Sequence, residues 1–184
     1  MIYLASTSPR RKSLLKEAGI CFRILKPDYD ENPNLKGTPS CVVQIHAVKK
    51  VESCQKKIKS GTILAADTIV YHQGKIIGKP KDMKDAHFIL GKLQGRWHLV
   101  YTGVAMFWIV SGRLTKKIVF SEKTKVRLKP LTSKGITNYF KKVNPLDKAG
   151  AYAIQSSHGG IVEEVKGLFS NAVGLPIELI FKKL

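Results

Sequence analysis

The sequence predicts an α/β fold with a mixed central sheet. Extended and helical signals alternate along the chain, no linker or internal repeat interrupts them, and the apolar content is enough for one packed domain over residues 1–184. Hydrophobic residues make up 43% of the chain, which argues for a real core and against disorder. The longest apolar run, Val104 to Val110, falls short of the roughly 20 residues a bilayer-spanning helix needs and reads as a buried strand. No membrane association is expected.

The elements follow in order. Ile2 to Ala5 is extended; Ser6 or Ser8 can cap a helix that has Pro9 near its first turn, Leu14 and Leu15 on its apolar side and Gly19 at its end. Thr38-Pro39 opens a second helix with an expected apolar stripe of Cys41, Ile45, Val48 and Val51, and Lys50 lies beside that stripe. Residues 62 to 71 are β-branched and apolar except for Asp67; Gln73-Gly74 supplies a turn and Lys75-Ile76-Ile77 resumes the extended run, which predicts a hairpin. Asp82 caps a helix with Ala86, Ile89, Leu90 and Leu93 at helical spacing. Two long strands, Trp97 to Val110 and Leu114 to Leu128, are joined through Ser111-Gly112. Thr132 or Ser133 begins a short helix, residues 147 to 165 read as loop and strand, and Pro176 starts a C-terminal helix carrying Ile177, Leu179, Ile180 and Leu184.

Three cysteines, Cys21, Cys41 and Cys54, without C-x-x-C spacing suggest neither a disulfide framework nor a zinc site. The positive run Arg10-Arg11-Lys12 follows the apolar start instead of preceding it, unlike a secretory signal. A reducing cytoplasm is the expected compartment. Lysines and arginines number 32 against 13 acids, a formal charge of +19, which points to polyanionic partners. The charge is spread in pairs such as Lys49-Lys50, Lys116-Lys117 and Lys182-Lys183, so it reads mainly as solvated faces that speed capture of an anion, with weak, salt-sensitive nucleic-acid binding as the other consequence.

Asp67 is the residue that most demands explanation, because a carboxylate inside an apolar strand costs several kcal/mol unless a cation or metal compensates it. Folding the hairpin about Gln73-Gly74 brings Lys79 nearly opposite; the same pair also reads as a structural tie between strands. Ser6-Thr7-Ser8-Pro9-Arg10-Arg11 joins hydroxyls, two guanidiniums and a helix N-terminus, a competent phosphate site; an ordinary capped helix with a basic first turn is the other reading, and the helix dipole disfavours it. The stretch Gly74 to Lys79 has too few residues between its glycines for a Walker A loop and ends in Pro80 where that loop has a hydroxyl residue. His46, His72 and His87 lack metal-ligand spacing and are expected on surfaces, and His98 has no assignable chemistry.

Along nearly its whole length the chain resembles the Maf nucleotide pyrophosphatases. The resemblance rests on Leu4-Ala5-Ser6-Thr7-Ser8-Pro9-Arg10-Arg11, Ala66-Asp67-Thr68-Ile69-Val70 and Gly78-Lys79-Pro80, with further matches at Asp30-Glu31, Lys50, Gly95-Arg96, His98, Thr102-Gly103-Val104, the string from Pro145 to Gln155, Asn171 and Val173-Gly174-Leu175-Pro176. It implies an elongated mixed sheet flanked by helices with a central substrate cleft (Maf/ITPase-like), and a cytoplasmic enzyme that cleaves nucleoside triphosphates to monophosphate and pyrophosphate with a divalent cation. It also implies that Asp67 is the proton acceptor, that Arg10, Thr68 and Gln155 bear on base choice, and that a homodimer forms. The string from Asp147 to Gln155 is similar to the branch acting on dTTP and UTP. Ser156 and His158 stand where the family usually has glycine, and Ala65-Ala66 replaces Gly-Ala.

The chemistry of these residue types fits that implication. An aspartate's pKa of ~3.9 is too low to deprotonate free water at pH 7, so Asp67 is expected to act on water acidified by Mg²⁺ or Mn²⁺; Glu31 reads as a second carboxylate ligand or water-orienting group, and equally as a solvated loop acid. Ser6, Ser8, Arg10, Arg11, Lys50 and Lys79 are expected to bind the phosphates, with Arg11 and Lys79 foremost. The Gln155 amide offers a donor and an acceptor that match the N3–H and O4 of thymine or uracil.

Overall fold

A computed structural model describes residues 1–32, 35–154 and 160–184. Strands β1 (Ile2–Ala5), β2 (Phe22–Leu25), β3 (Gly61–His72), β4 (Lys75–Ile77), β5 (Trp97–Val110), β6 (Arg113–Leu128) and β7 (Val162–Lys166) form a seven-stranded sheet. Its order is β2-β1-β3-β5-β6-β7, with β4 added to β3. Among the described residues six α-helices accompany it: α1 (Pro9–Glu17), α2 (Pro39–Cys54), α3 (Met83–Leu93), α4 (Ser133–Phe140), α5 (Phe169–Val173) and α6 (Ile177–Phe181). The sheet is mixed as expected: β1 runs parallel to β2 and β3, whereas β3–β4 and β6–β7 are antiparallel.

Local chemistry accounts for the boundaries. Gln73 and Gly74 both take positive φ, 47° and 77°, the twist a two-residue hairpin requires, and Ser111 and Gly112 repeat the device at 50° and 76° between β5 and β6. The Thr38, Asp82 and Thr132 side chains accept the backbone N–H of Cys41, Asp85 and Gly135, capping α2, α3 and α4. The strand β2 and the short helix α5 were not anticipated, β7 falls within the stretch read as loop and strand, and Leu184 lies exposed beyond the end of α6.

The chain divides into two compact units. The first holds residues 1–68, 102–122 and 174–184. Its core is α2 on the sheet: Ala47, Val51 and Cys54 pack with Ala5, Ile63, Ala65, Ala105, Phe107 and Ile109, all nearly sealed from solvent. At Gly103 an added Cβ would sit 2.3 Å from the Val43 carbonyl carbon, so the backbones of helix and strand are in direct contact there. The buried stripe of α2 is Val42, Val43, His46, Ala47, Lys50, Val51 and Cys54. Cys41 is exposed and Ile45 and Val48 only half-buried, so the expected stripe was rotated: the polar His46 and Lys50 lie on the true inner face and disguise it.

The second unit holds residues 69–101 and 123–173. Here α3 turns Ala86, Ile89, Leu90 and Leu93 inward as predicted, and α4 contributes Ile136 and Tyr139. The His98 Nε2 and Tyr152 hydroxyl are hydrogen-bonded at 2.7 Å, and the Asn171 amide donates to Val100 O and Thr124 Oγ1. These bonds satisfy polar atoms that the core would otherwise bury at a cost.

Candidate active site

Most of the predicted site residues meet in the first unit. Asp67 lies on β3 and is 5% exposed; Lys50, on the inner face of α2, is 8% exposed. The Lys50 ammonium donates to Asp67 Oδ1 at 2.7 Å, lies 2.6 Å from Glu31 Oε1, and has the Ala66 carbonyl at 3.4 Å. Each buried charge would be costly alone; together they are tolerated because an ammonium with three donors is met by three oxygens. The helix can deliver that ammonium because Gly103 seats α2 against the sheet seven residues earlier.

The expected partner of Asp67 was Lys79, and this changes. Register is fixed only over Val70–Ile77, Tyr71–Ile76 and His72–Lys75, and the cation paired with Asp67 is Lys50 from α2. Lys79 is an exposed residue of the second unit, just past β4. Gln155 lies outside the described residues, as do Ser156 and His158.

A second cluster forms where β1 runs into α1. The buried Ser6 hydroxyl accepts the Ser8 N–H at 3.2 Å and Arg11 Nη1 at 3.3 Å. Arg11 also donates from Nε to the Gly174 carbonyl at 2.9 Å and from Nη2 to Thr68 Oγ1 at 3.1 Å. Gly174 sits at a φ of 124°, a conformation that strongly favours glycine, and so presents its carbonyl to the guanidinium. Thr68, expected to bear on base choice, commits its hydroxyl to Arg11 and to Thr102 Oγ1 at 3.0 Å. Burial pushes the Arg11 pKa below its ordinary value, Asp67 and Glu31 pull it back up, and Arg10 pushes it down again; an arginine stays cationic through such shifts. At the start of α1, Ser8 makes no side-chain cap, Pro9 follows, and no acid occupies the first turn, which leaves the helix N-terminus open to an anion.

Sequence reasoning missed Tyr29 and misplaced His46. His46 is not a surface residue: it is 4% exposed, one turn before Lys50. Its spacing of four from Lys50 was the available signal, obscured because both are polar. Burial first, and then the charges of Glu31 and Asp67, raise the Tyr29 phenol above its usual pKa, which places that ring close to the two carboxylates.

For a divalent cation the available donors are the Glu31 and Asp67 carboxylates, which already converge on one ammonium. Among the described residues no group of three or more His, Cys, Asp or Glu is assembled, so the carboxylates gathered here are two. That fits Mg²⁺ or Mn²⁺, which take one or two carboxylates and complete their shell with phosphate and water.

On an α/β scaffold, two carboxylates meet on a buried lysine, and an arginine-organised helix start lies in the same unit. The chain belongs to the Maf family: the family model described as "Maf-like protein" matches residues 1–184. The chain is 40% identical over 183 residues to a protein named dTTP/UTP pyrophosphatase from Carboxydothermus hydrogenoformans, covering 100% of this chain and 96% of that one. It is 42% identical over 185 residues to the protein of the same name from Thermotoga maritima, covering 100% and 87%. Among solved structures, the Staphylococcus aureus Ham1 protein aligns over 82% of this chain and 84% of that one at 19% identity with a TM-score of 0.48, a likeness too slight to carry an argument.

Proposed function

We propose that this chain hydrolyses the pyrimidine nucleoside triphosphates dTTP and UTP to the nucleoside monophosphate and pyrophosphate. The carrying observation is the buried Lys50–Asp67 pair with Glu31 on the same ammonium, in a chain whose Maf relatives bear the name dTTP/UTP pyrophosphatase.

In this reading the polyphosphate lies against the open start of α1, with Arg10 and Arg11 offering positive charge and Ser6 and Ser8 offering hydroxyls. Arg11 has N–H donors left after its three protein bonds, and its fork keeps the loop from Ser6 to Ser8 in place. Glu31 and Asp67 are the residues that would hold a divalent cation, which would supply Lewis acidity and charge neutralisation. Asp67 takes a proton from the attacking water; the water oxygen bonds to the α-phosphorus as the bond from phosphorus to the bridging oxygen breaks, and pyrophosphate leaves with the electron pair. Lys50 fixes the position of the Asp67 carboxylate and opposes negative charge growing on the leaving group. Three free cysteines support a reducing, cytoplasmic setting. Among the described residues no helix is long and apolar enough to cross a membrane.

The test is incubation of the pure protein with each of the common triphosphates and Mg²⁺, with products resolved by chromatography. Monophosphate and pyrophosphate from dTTP and UTP, falling by roughly a hundredfold or more in Asp67→Asn, are expected. Release of orthophosphate and diphosphate, or undiminished turnover in Asp67→Asn, overturns the assignment.

A further inference from the structure

Glu31 poses a physical problem. It lies in an irregular segment after β2, its side chain is 40% exposed, and yet its Oε1 sits 2.6 Å from a buried ammonium. A half-exposed ion pair gains little against the entropy of ordering such a segment, so something else must hold residues 29 to 31 in place.

Two residues earlier, the Tyr29 hydroxyl is hydrogen-bonded to His46 Nδ1 at 2.8 Å, with the rings 5.8 Å apart and tilted at 46°. The Asn32 backbone, on the far side of Glu31, lies beside the same hydroxyl. His46 is anchored on the buried face of α2, one helical turn before Lys50. The helix that presents the ammonium therefore also carries the anchor for the carboxylate that meets it, and the two side chains lie on the same face at a spacing of four.

We propose, resting on the reaction assigned above, that Tyr29 and His46 form a positioning pair that holds Glu31 over Lys50 and so keeps both carboxylates converged on one point. Neither residue touches the reacting atoms; both act through Glu31. Loss of the Tyr29 hydroxyl frees the segment, and Glu31 exchanges its lysine for water.

Two measurements on the full chain test this. First, amide hydrogen exchange over residues 28–32 is compared in the wild type and Tyr29→Phe, without substrate. Faster exchange confined to that segment is expected, and unchanged exchange overturns the proposal. Second, kcat and KM for dTTP are measured for the wild type, Tyr29→Phe, Glu31→Gln and the double variant. Tyr29→Phe is expected to lower kcat about tenfold, the scale of one lost hydrogen bond, and to have no further effect once Glu31 is Gln. An equal loss in both backgrounds, or none in either, overturns it. His46→Ala should reproduce the loss, and His46→Asn, whose Oδ1 can stand where Nδ1 stood, should restore it. If Glu31→Gln turns over too slowly to complete the comparison, exchange and the His46 pair decide. If Asp67→Asn remains fully active, the assigned reaction fails while the exchange result still decides whether this pair holds the segment.

Discussion

Lys50 is the residue on which two acidic side chains converge, and in the proposed reaction it serves both stability and chemistry. Replacing it by Met leaves the buried Asp67 without its cation, and the expected cost is about 3 kcal/mol of folding stability, read by urea denaturation at pH 7. Adding Asp67→Asn to Lys50→Met should recover most of that stability and none of the activity, which separates the two roles. Asp67 itself was legible in the sequence, since a lone carboxylate within TILAADTIVY has no apolar explanation. Its partner was not. Hairpin register favoured Lys79, but the fixed pairs run only from His72–Lys75 to Val70–Ile77, and the cation arrives from a helix distant in sequence.

Elements with strong local signals were read correctly: both two-residue hairpin turns, the capped starts of α2, α3 and α4, and the inward face of α3. The face of α2 was misread for a physical reason, because the polar His46 and Lys50 sit among the core positions, so periodicity selected the apolar but outer Cys41, Ile45 and Val48. Short elements such as β2 and α5 exist through sheet pairing and packing that no local pattern reveals. In the second unit, the tie between β5 and Tyr152 carries a pH dependence. Burial, reinforced by His72, pushes the His98 imidazole down to about 4, below its ordinary 6.5. The unfolded chain therefore binds the extra proton first, so the contribution is complete above pH 6.5 and is lost as pH falls towards 4; its size is on the order of 3 kcal/mol. Chemical denaturation at stepped pH should show that decline, and His98→Gln should flatten it.

For the whole molecule, family membership was legible because many short motifs recur in order along the chain, whereas the +19 charge is explained neither by the motifs nor by the site. Its expected consequence is kinetic. Long-range attraction should make kcat/KM for dTTP fall as ionic strength rises from about 0.02 to 0.3 M while kcat stays nearly constant, since screening acts on encounter and not on a desolvated centre. A steady-state salt series checks this; a kcat that falls in parallel would place the charge effect in the chemical step. The meeting of helix and strand at Gly103 reaches further still. The clearance there is smaller than one methyl group, so even alanine would act as a wedge beneath α2 and shift its ammonium away from both acids. Loops elsewhere are free to drift towards new bases, but the depth of that helix, and with it the centre it serves, is set by a position that admits no side chain.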